Sequence, residues 1–408
     1  MKKLLMIYGI LIFLACSVFA QQEESNFGIS LSGFVKTDIM FDTRQTTSIR
    51  EGHFLLYPAP EVMDKNNEDI NAKPNFNILS IQTRLTSKIT APDAFGAKTS
   101  GIIEAEFFGT SEGDVNGFRL RHAFVKLDWE KTSLLVGQTW HPMFVVEMFP
   151  GVVSFNTGVP FQPFSRNPQI RFTYTINNVK FIAAALAQRD FQSNGPGGFS
   201  SSYLRNSIIP NLHAQIQYSN NGHLAGVGVD YKKLTPRLST DMNIKTDATI
   251  SGVSAIGYAK LNLDPITIKA EGVYGQNIPD LMQIGGYAVA STDVTKGVET
   301  YTVLSNLSFW GEISTGKQIE YALFFGYSKA LGASKNISGK YYGRATDIEN
   351  IFRISPRIQF NSEKTRISTE LEYTSAGYGT SNGLNKGKVE DSKIVSNVRL
   401  LVAFYLFF

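Results

Sequence analysis

Cysteine is nearly missing from this chain: Cys16 is the only one in 408 residues. It lies in an apolar run, Leu4 to Phe19, which follows Lys2 and Lys3 and ends on Val18-Phe19-Ala20, a pattern that a signal peptidase cuts. Residues 1–20 therefore read as a signal peptide, and the exported chain has no disulfide or thiolate chemistry. An acylated Cys16 is the rival reading, and Phe13 and Leu14 before it suit that lipoprotein signal poorly. Charge of one sign is lacking too. The formal net charge is +4, and Lys2 and Lys3 leave with the leader, so no basic excess points to a nucleic-acid partner. Beyond residue 20 no stretch approaches the roughly 18 consecutive apolar residues of a membrane-spanning helix, which excludes a helical membrane protein.

What the chain has in abundance is alternation. From Leu79 to Ile89 the odd positions carry Leu79, Ile81, Thr83, Leu85, Ser87 and Ile89, and the even ones Ser80, Gln82, Arg84, Thr86 and Lys88. Successive side chains of a strand point to opposite faces, so one face is apolar and the other carries cations and amides. The same period sets Arg353 and Arg357 against Phe352, Ile354 and Phe360, and Glu370 and Glu372 against Ile367 and Leu371. About sixteen such segments appear, with cores near 29–41, 76–90, 98–109, 117–130, 133–140, 169–176, 179–189, 211–219, 223–232, 252–263, 266–275, 300–313, 318–328, 348–360, 365–374 and 394–408. In the fourth, Arg119 and Arg121 share a face, yet strict alternation would group His122 and Lys126 with Phe124, so a bulge is expected.

Connections alternate as well. Residues 177–178, 219–222, 264–265, 314–316 and 361–364 are tight turns of the Asn, Gly and Pro type, while 190–210, 276–299, 329–346 and 375–393 are long loops. A soluble β-sandwich would give the same alternation. The strand number, the export signal and the last strand decide against it. That strand places Val398, Leu400, Val402, Phe404, Leu406 and Phe408 on one face, a wall suited to hydrocarbon. The expected fold is all-β: one 16-stranded antiparallel transmembrane β-barrel over residues 21–408.

An Arg facing lipid at mid-bilayer costs roughly 2–4 kcal/mol. Arg84, Arg119, Arg121, Arg171, Arg353, Arg357, Arg366 and Arg399 lie in predicted strands and must therefore face inward, with Glu104, Glu106, Glu271, Glu370 and Glu372. A barrel of that size is too wide for side chains alone to fill, which makes a water-filled channel the expected function. After the fifth strand, residues 141–168 carry five prolines and many apolar residues without a period. Such a segment is too long for a hairpin turn and too apolar for a solvated loop. Folding into the lumen explains both, with Glu147, Asn156, Gln162 and Arg166 as candidate rim residues opposite Arg119, Arg121 and Arg171. The alternative is a subunit-contact or external loop.

RLRHAFVKL at 119–127, followed by LLVGQTWHPM at 134–143, resembles the paired motif of DcaP-like trimeric outer-membrane porins. The matching positions are Arg119, Arg121, His122, Ala123, Gly137, Gln138, Thr139 and Trp140. The resemblance implies a 16-stranded homotrimer in the outer membrane of a Gram-negative-type bacterium, passing small and often anionic solutes such as carboxylates. A C-terminal Phe408 resembles the signature read by the outer-membrane assembly machinery.

Other chemistry is thinly represented. His53, His122, His141, His213 and His223 are scattered without the spacing of a helical zinc site, so neither a metal, a cofactor nor an enzymatic activity is expected. GPGG at 195–198 lacks the Lys-Ser/Thr and helix of a phosphate cradle, and Trp129 and Trp310 lie near short turns, as interfacial girdle aromatics would. The reading is an outer-membrane porin with mild anion preference; the alternative is a surface scaffold or adhesin working through its long loops.

Overall fold

The structure, a computed structural model, describes residues 27–408, so the leader assigned to 1–20 lies outside the described residues. Alternating sequence becomes alternating environment along sixteen wall strands. In chain order these are β1 Gly28–Asp42, β2 Asn75–Leu79 continued by Arg84–Ala94, β3 Ala97–Phe107, β4 Phe118–Asp128, β5 Thr132–Trp140, β6 Arg166–Ile176, β7 Val179–Leu186 and β8 Asn211–Asn220. There follow β9 His223–Leu234, β10 Ile250–Leu263, β11 Ile266–Gln276, β12 Glu299–Thr315, β13 Ile319–Ala333, β14 Ile348–Ser362, β15 Thr365–Asn382 and β16 Lys388–Phe407. Each pairs antiparallel with the next, and β16 returns to β1 from Phe34↔Phe407 to Asp42↔Arg399. The sheet is closed and has no free edge. Phe408 finishes the seam, exchanging backbone hydrogen bonds with Gly33 in both directions at 3.1 Å.

Parity is visible on β15: Ile367, Leu371 and Tyr373 are exposed on the outside, while Ser368, Glu370 and Glu372 are buried on the inside. β16 behaves alike, with Leu400, Phe404, Leu406 and Phe408 outward and Leu401 and Ala403 inward. Among the described residues no helix is long and apolar enough to cross a membrane. Connections at one rim are two or three residues long, and both ends of the wall lie at that rim. Gly316 shows why residue type matters there: φ is +97°, and a Cβ would sit 2.0 Å from the Ile319 carbonyl oxygen.

The bulge expected in β4 is present. Glu104 pairs with His122 and Ala105 with Leu120, so Arg121 is the extra residue, which turns the sequence neighbours Arg121 and His122 to the same inner side as Arg119. Other expectations need correction. β2 is interrupted between Leu79 and Arg84, and Ile81 turns inward into the apolar cluster that contains Phe54 and Phe155. Trp310 is no girdle residue: it is fully buried, its indole Nε1 donating to Glu271 Oε1 at 3.1 Å. Residues 375–393 are not a loop but a continued hairpin of β15 and β16, and 276–299 and 329–346 contain strands Gly285–Thr292 and Tyr341–Arg344. Above the apolar belt both faces of a strand meet water or polar loops, so the alternation that marks a wall strand fades although the hydrogen-bond ladder continues.

Candidate pore constriction

Residues 141–165 leave the wall after β5 and return to it at β6. The segment is a succession of turns, and the backbone groups that its own turn hydrogen bonds leave over need other partners. The opposite wall supplies them by charge. Lys260 Nζ donates to the Glu147 carbonyl (3.3 Å), Lys269 Nζ to Phe149 (3.0 Å), Lys36 Nζ to Val153 (3.0 Å) and Arg353 Nη1 to Val159 (2.7 Å). Wall carboxylates accept in turn: Glu312 from Gly151 N (2.7 Å), Glu370 from Val153 N, and Glu372 from Asn156 Nδ2 (3.0 Å). The segment is thus pinned across the barrel from β5 to β1, β10, β11, β12, β14 and β15.

Its apolar side chains pack inside. Met143, Phe144, Phe155, Phe161 and Phe164 are buried in one cluster, with Trp140 stacked on Phe144 at 3.9 Å and Phe155 against Phe108 at 4.0 Å. At Gly326 a Cβ would meet the Phe161 ring at 2.3 Å, so that wall position must stay bare. A second insertion lies beside it. The hairpin Thr46–Ile49 with Phe54–Pro58 buries Phe54, Leu55, Leu56 and Tyr57, and Arg353 Nη2 donates to the Leu56 carbonyl at 2.8 Å. Arg353 therefore clamps both insertions to β14. The sequence signal for this hairpin was the apolar run FLLYP, too short to assign to strand or loop by period.

Six of the candidate residues form one cluster. Glu106, fully buried, lies 3.0 Å from Arg84, 2.9 Å from Arg119 and 4.0 Å from Arg166, and it also pairs with Arg121. Glu104 receives Arg121 Nε at 2.6 Å. Asp190, which periodicity could not single out, bridges Arg119 and Arg166 at 2.7 Å each. Arg50, on the second insertion, adds a fifth guanidinium, over the Phe108 ring at 4.5 Å. The ladder of arginines is thus largely paired with carboxylates.

The remaining candidates are dispersed. Arg357 pairs with Glu312 (2.7 Å) and Glu320 (2.8 Å), Arg171 donates to the Trp140 carbonyl and to Gln169, and Arg366 donates to Asn361 and lies over the rings of Tyr405 and Phe407. Of the four rim candidates, Glu147 is half exposed, with Lys180 at 3.4 Å and Gln217 at 3.3 Å. Asn156, Gln162 and Arg166 are buried and do not face water on a rim; Asn156 ties the segment to Glu372, and Arg166 pairs with Asp190. Their polarity was legible in the sequence; the contacts of Asn156 with Glu372 and of Arg166 with Asp190 were not.

Water-accessible space flanks the segment. A cavity of about 390 Å³ is lined by Lys126, Lys131, Arg171, Lys180 and Glu147, and another of about 470 Å³ by Gln82, Arg84, Glu104, Arg121 and Tyr405. Both border Phe144 and Val146.

Asp190 belongs to the connection after β7. Burial alone would raise its pKa, but Arg166, Arg119 and Arg50 outweigh burial and hold it below the ordinary carboxylate value. Its stabilising contribution is therefore complete above the unfolded value of about 4 and is lost only as pH falls through the lower folded value. Pepsin digestion along a descending pH series is expected to leave the 187–210 connection uncut at about pH 4 and to open it below that value. Cleavage already at the upper limit would contradict the pairing.

No protein family matches the chain, and no curated protein matches it by sequence. Solved structures do match. The outer membrane channel DcaP of Acinetobacter baumannii aligns with a TM-score of 0.66 at 14% identity, covering 96% of this chain and 100% of that one. The trimer form of OmpT, an outer membrane protein of Vibrio cholerae, gives 0.56 at 11% identity over 94% and 99%. Salmonella typhi OmpF, in a complex with daunomycin, gives 0.54 at 13% identity over 93% and 97%. The chain thus has the fold of these outer-membrane barrels along nearly its whole length, as the two motifs at 119–127 and 134–143 implied.

Proposed function

We propose that this protein is an outer-membrane porin: a passive channel for small hydrophilic solutes, assembled as a homotrimer, with residues 141–168 narrowing its lumen. One observation carries the reading. In a closed ring of sixteen strands the arginines and carboxylates of the wall are buried on the inner side, while large apolar side chains such as Leu307, Leu371, Leu400, Phe404 and Leu406 are exposed on the outer one. Such a wall is stable only with hydrocarbon outside and water, or compensating charge, inside.

Mild anion preference is part of the proposal. Around Glu106 five guanidinium groups, Arg50, Arg84, Arg119, Arg121 and Arg166, meet three carboxylates, Glu104, Glu106 and Asp190. The excess is positive, and rings of fixed charge select ions of opposite sign. Carboxylates are accordingly among the proposed solutes, and Phe408 at the seam is the proposed mark for the assembly machinery. Reversal potential under a salt gradient tests the selectivity, together with swelling of liposomes in sugars and dicarboxylates. Anion-selective potentials and faster dicarboxylate entry than that of sugars of equal size are expected; a cation-selective potential would refute the preference. Replacing Arg119 and Arg121 together is a poor test, because it strips Glu106 of two partners and so perturbs stability with charge.

A further inference from the structure

At the root of the inserted segment, His141 meets two wall residues far from it in sequence. His141 Nε2 and His213 Nδ1 lie 3.4 and 3.3 Å from the same oxygen, Asp230 Oδ2. The three donor atoms are all within 4.8 Å of one another, and the residues are buried. The Asn211 amide completes the group, 2.9 Å from His141 Nε2 and 3.2 Å from Asp230 Oδ2. Ligands bonded at about 2.0–2.1 Å around a tetrahedral dication are separated by about 3.4 Å, which these contacts approach.

A chain of hydrogen bonds fixes the protonation of His213. The Glu147 carboxylate only accepts, so it receives Gln217 Nε2 at 3.3 Å. Gln217 Oε1 then accepts the Tyr258 hydroxyl at 2.9 Å, and the Tyr258 oxygen accepts Gln215 Nε2 at 2.7 Å. Gln215 Oε1 is left to accept His213 Nε2–H at 3.0 Å. A neutral His213 therefore keeps its proton on Nε2, and Nδ1 presents a lone pair to Asp230 Oδ2, itself an acceptor. Two such lone pairs face each other in a buried site only with a cation between them. Asn211 points the same way. Its Oδ1 is buried without a protein partner, and rotating the amide by half a turn, which exchanges two nearly indistinguishable atoms, brings that oxygen to His141 and Asp230.

We propose that His141, His213, Asp230 and the Asn211 oxygen bind a divalent transition-metal ion of the zinc type. Two imidazoles, a carboxylate and an amide oxygen suit such an ion better than calcium or magnesium, which favour all-oxygen shells. Gln215 orients His213 as the outer partner of a ligating imidazole. Ligation through His141 Nε2 moves its proton to Nδ1 and gives up the hydrogen bond now accepted there from Met143 N at 3.2 Å. The ion ties the start of the inserted segment to β8 and β9, a role separate from permeation.

The test uses the full chain, unfolded with a chelator, freed of metal and refolded in detergent with Co²⁺ alone or Zn²⁺ alone. One equivalent per chain is expected, with the intense visible bands of four-coordinate Co²⁺. His213→Ala and Asp230→Asn should abolish the bands, and Gln215→Ala should weaken binding about 10- to 100-fold. Heat-modifiable migration on gels checks that each variant has folded, and the wild-type spectrum decides should one not fold. Absence of stoichiometric metal, six-coordinate cobalt bands, or bands that persist in both ligand variants would overturn the proposal and leave a proton as the cation.

Discussion

Excising residues 149–158 and bridging the gap with a Gly/Ser linker is expected to raise single-channel conductance several-fold. It should also admit sugars that the intact channel excludes. Those residues hold the hydrogen bonds to Lys269, Glu312, Lys36, Glu370 and Glu372, so their removal withdraws the segment from the centre of the lumen. The charged wall groups left behind become hydrated and are not stranded in a dry core, because the lumen fills with water as the segment leaves. The wall should therefore still assemble, as heat-modifiable migration would show. Unchanged conductance and an unchanged size limit would mean that residues 141–168 do not set the constriction.

Glu106→Gln should be the most damaging single substitution in the lumen. Glu106 is fully buried, and Arg84, Arg119 and Arg121 all pair with it while Arg166 is 4.0 Å away. Neutralising it leaves five guanidinium groups, that of Arg50 included, close together with only Glu104 and Asp190 to balance them. Breaking a buried pair by removing one partner costs about 3–5 kcal/mol, and here one carboxylate serves several partners. Denaturant unfolding in detergent should show a loss of that order. The variant channel that does assemble should be more anion-selective than the wild type. A loss under about 1 kcal/mol, the value of an exposed pair, would show that the cluster is hydrated and loosely held.

The wall was legible because a barrel strand has two unlike environments. Ile367 and Leu371 against Glu370 and Glu372, or Phe352 and Ile354 against Arg353, encode lipid and lumen at a period of two, and the extra residue in RLRHA marked the bulge at Arg121. Legibility failed where the two environments became alike. The upper parts of β15 and β16 are rich in Gly, Ser, Asn and Lys and carry no period-two contrast, and Trp310 shows that an aromatic near a turn can face inward when its indole has a carboxylate partner. The lumen was legible as charged but not as paired. Arg119 and Asp190 are 71 positions apart, Val153 and Glu370 are 217 apart, and no local pattern joins them. His141, His213 and Asp230 give no signal in the sequence for the same reason, since a site assembled from a loop and two strands has no characteristic spacing.

The central claim is a continuous water path inside a closed cylinder whose outside is oil. Planar-bilayer recording of the purified, refolded chain tests it most directly. Discrete, ohmic conductance steps that grow in proportion to bulk salt conductivity are predicted, whereas a correctly folded barrel that inserts and yields no steps would contradict it.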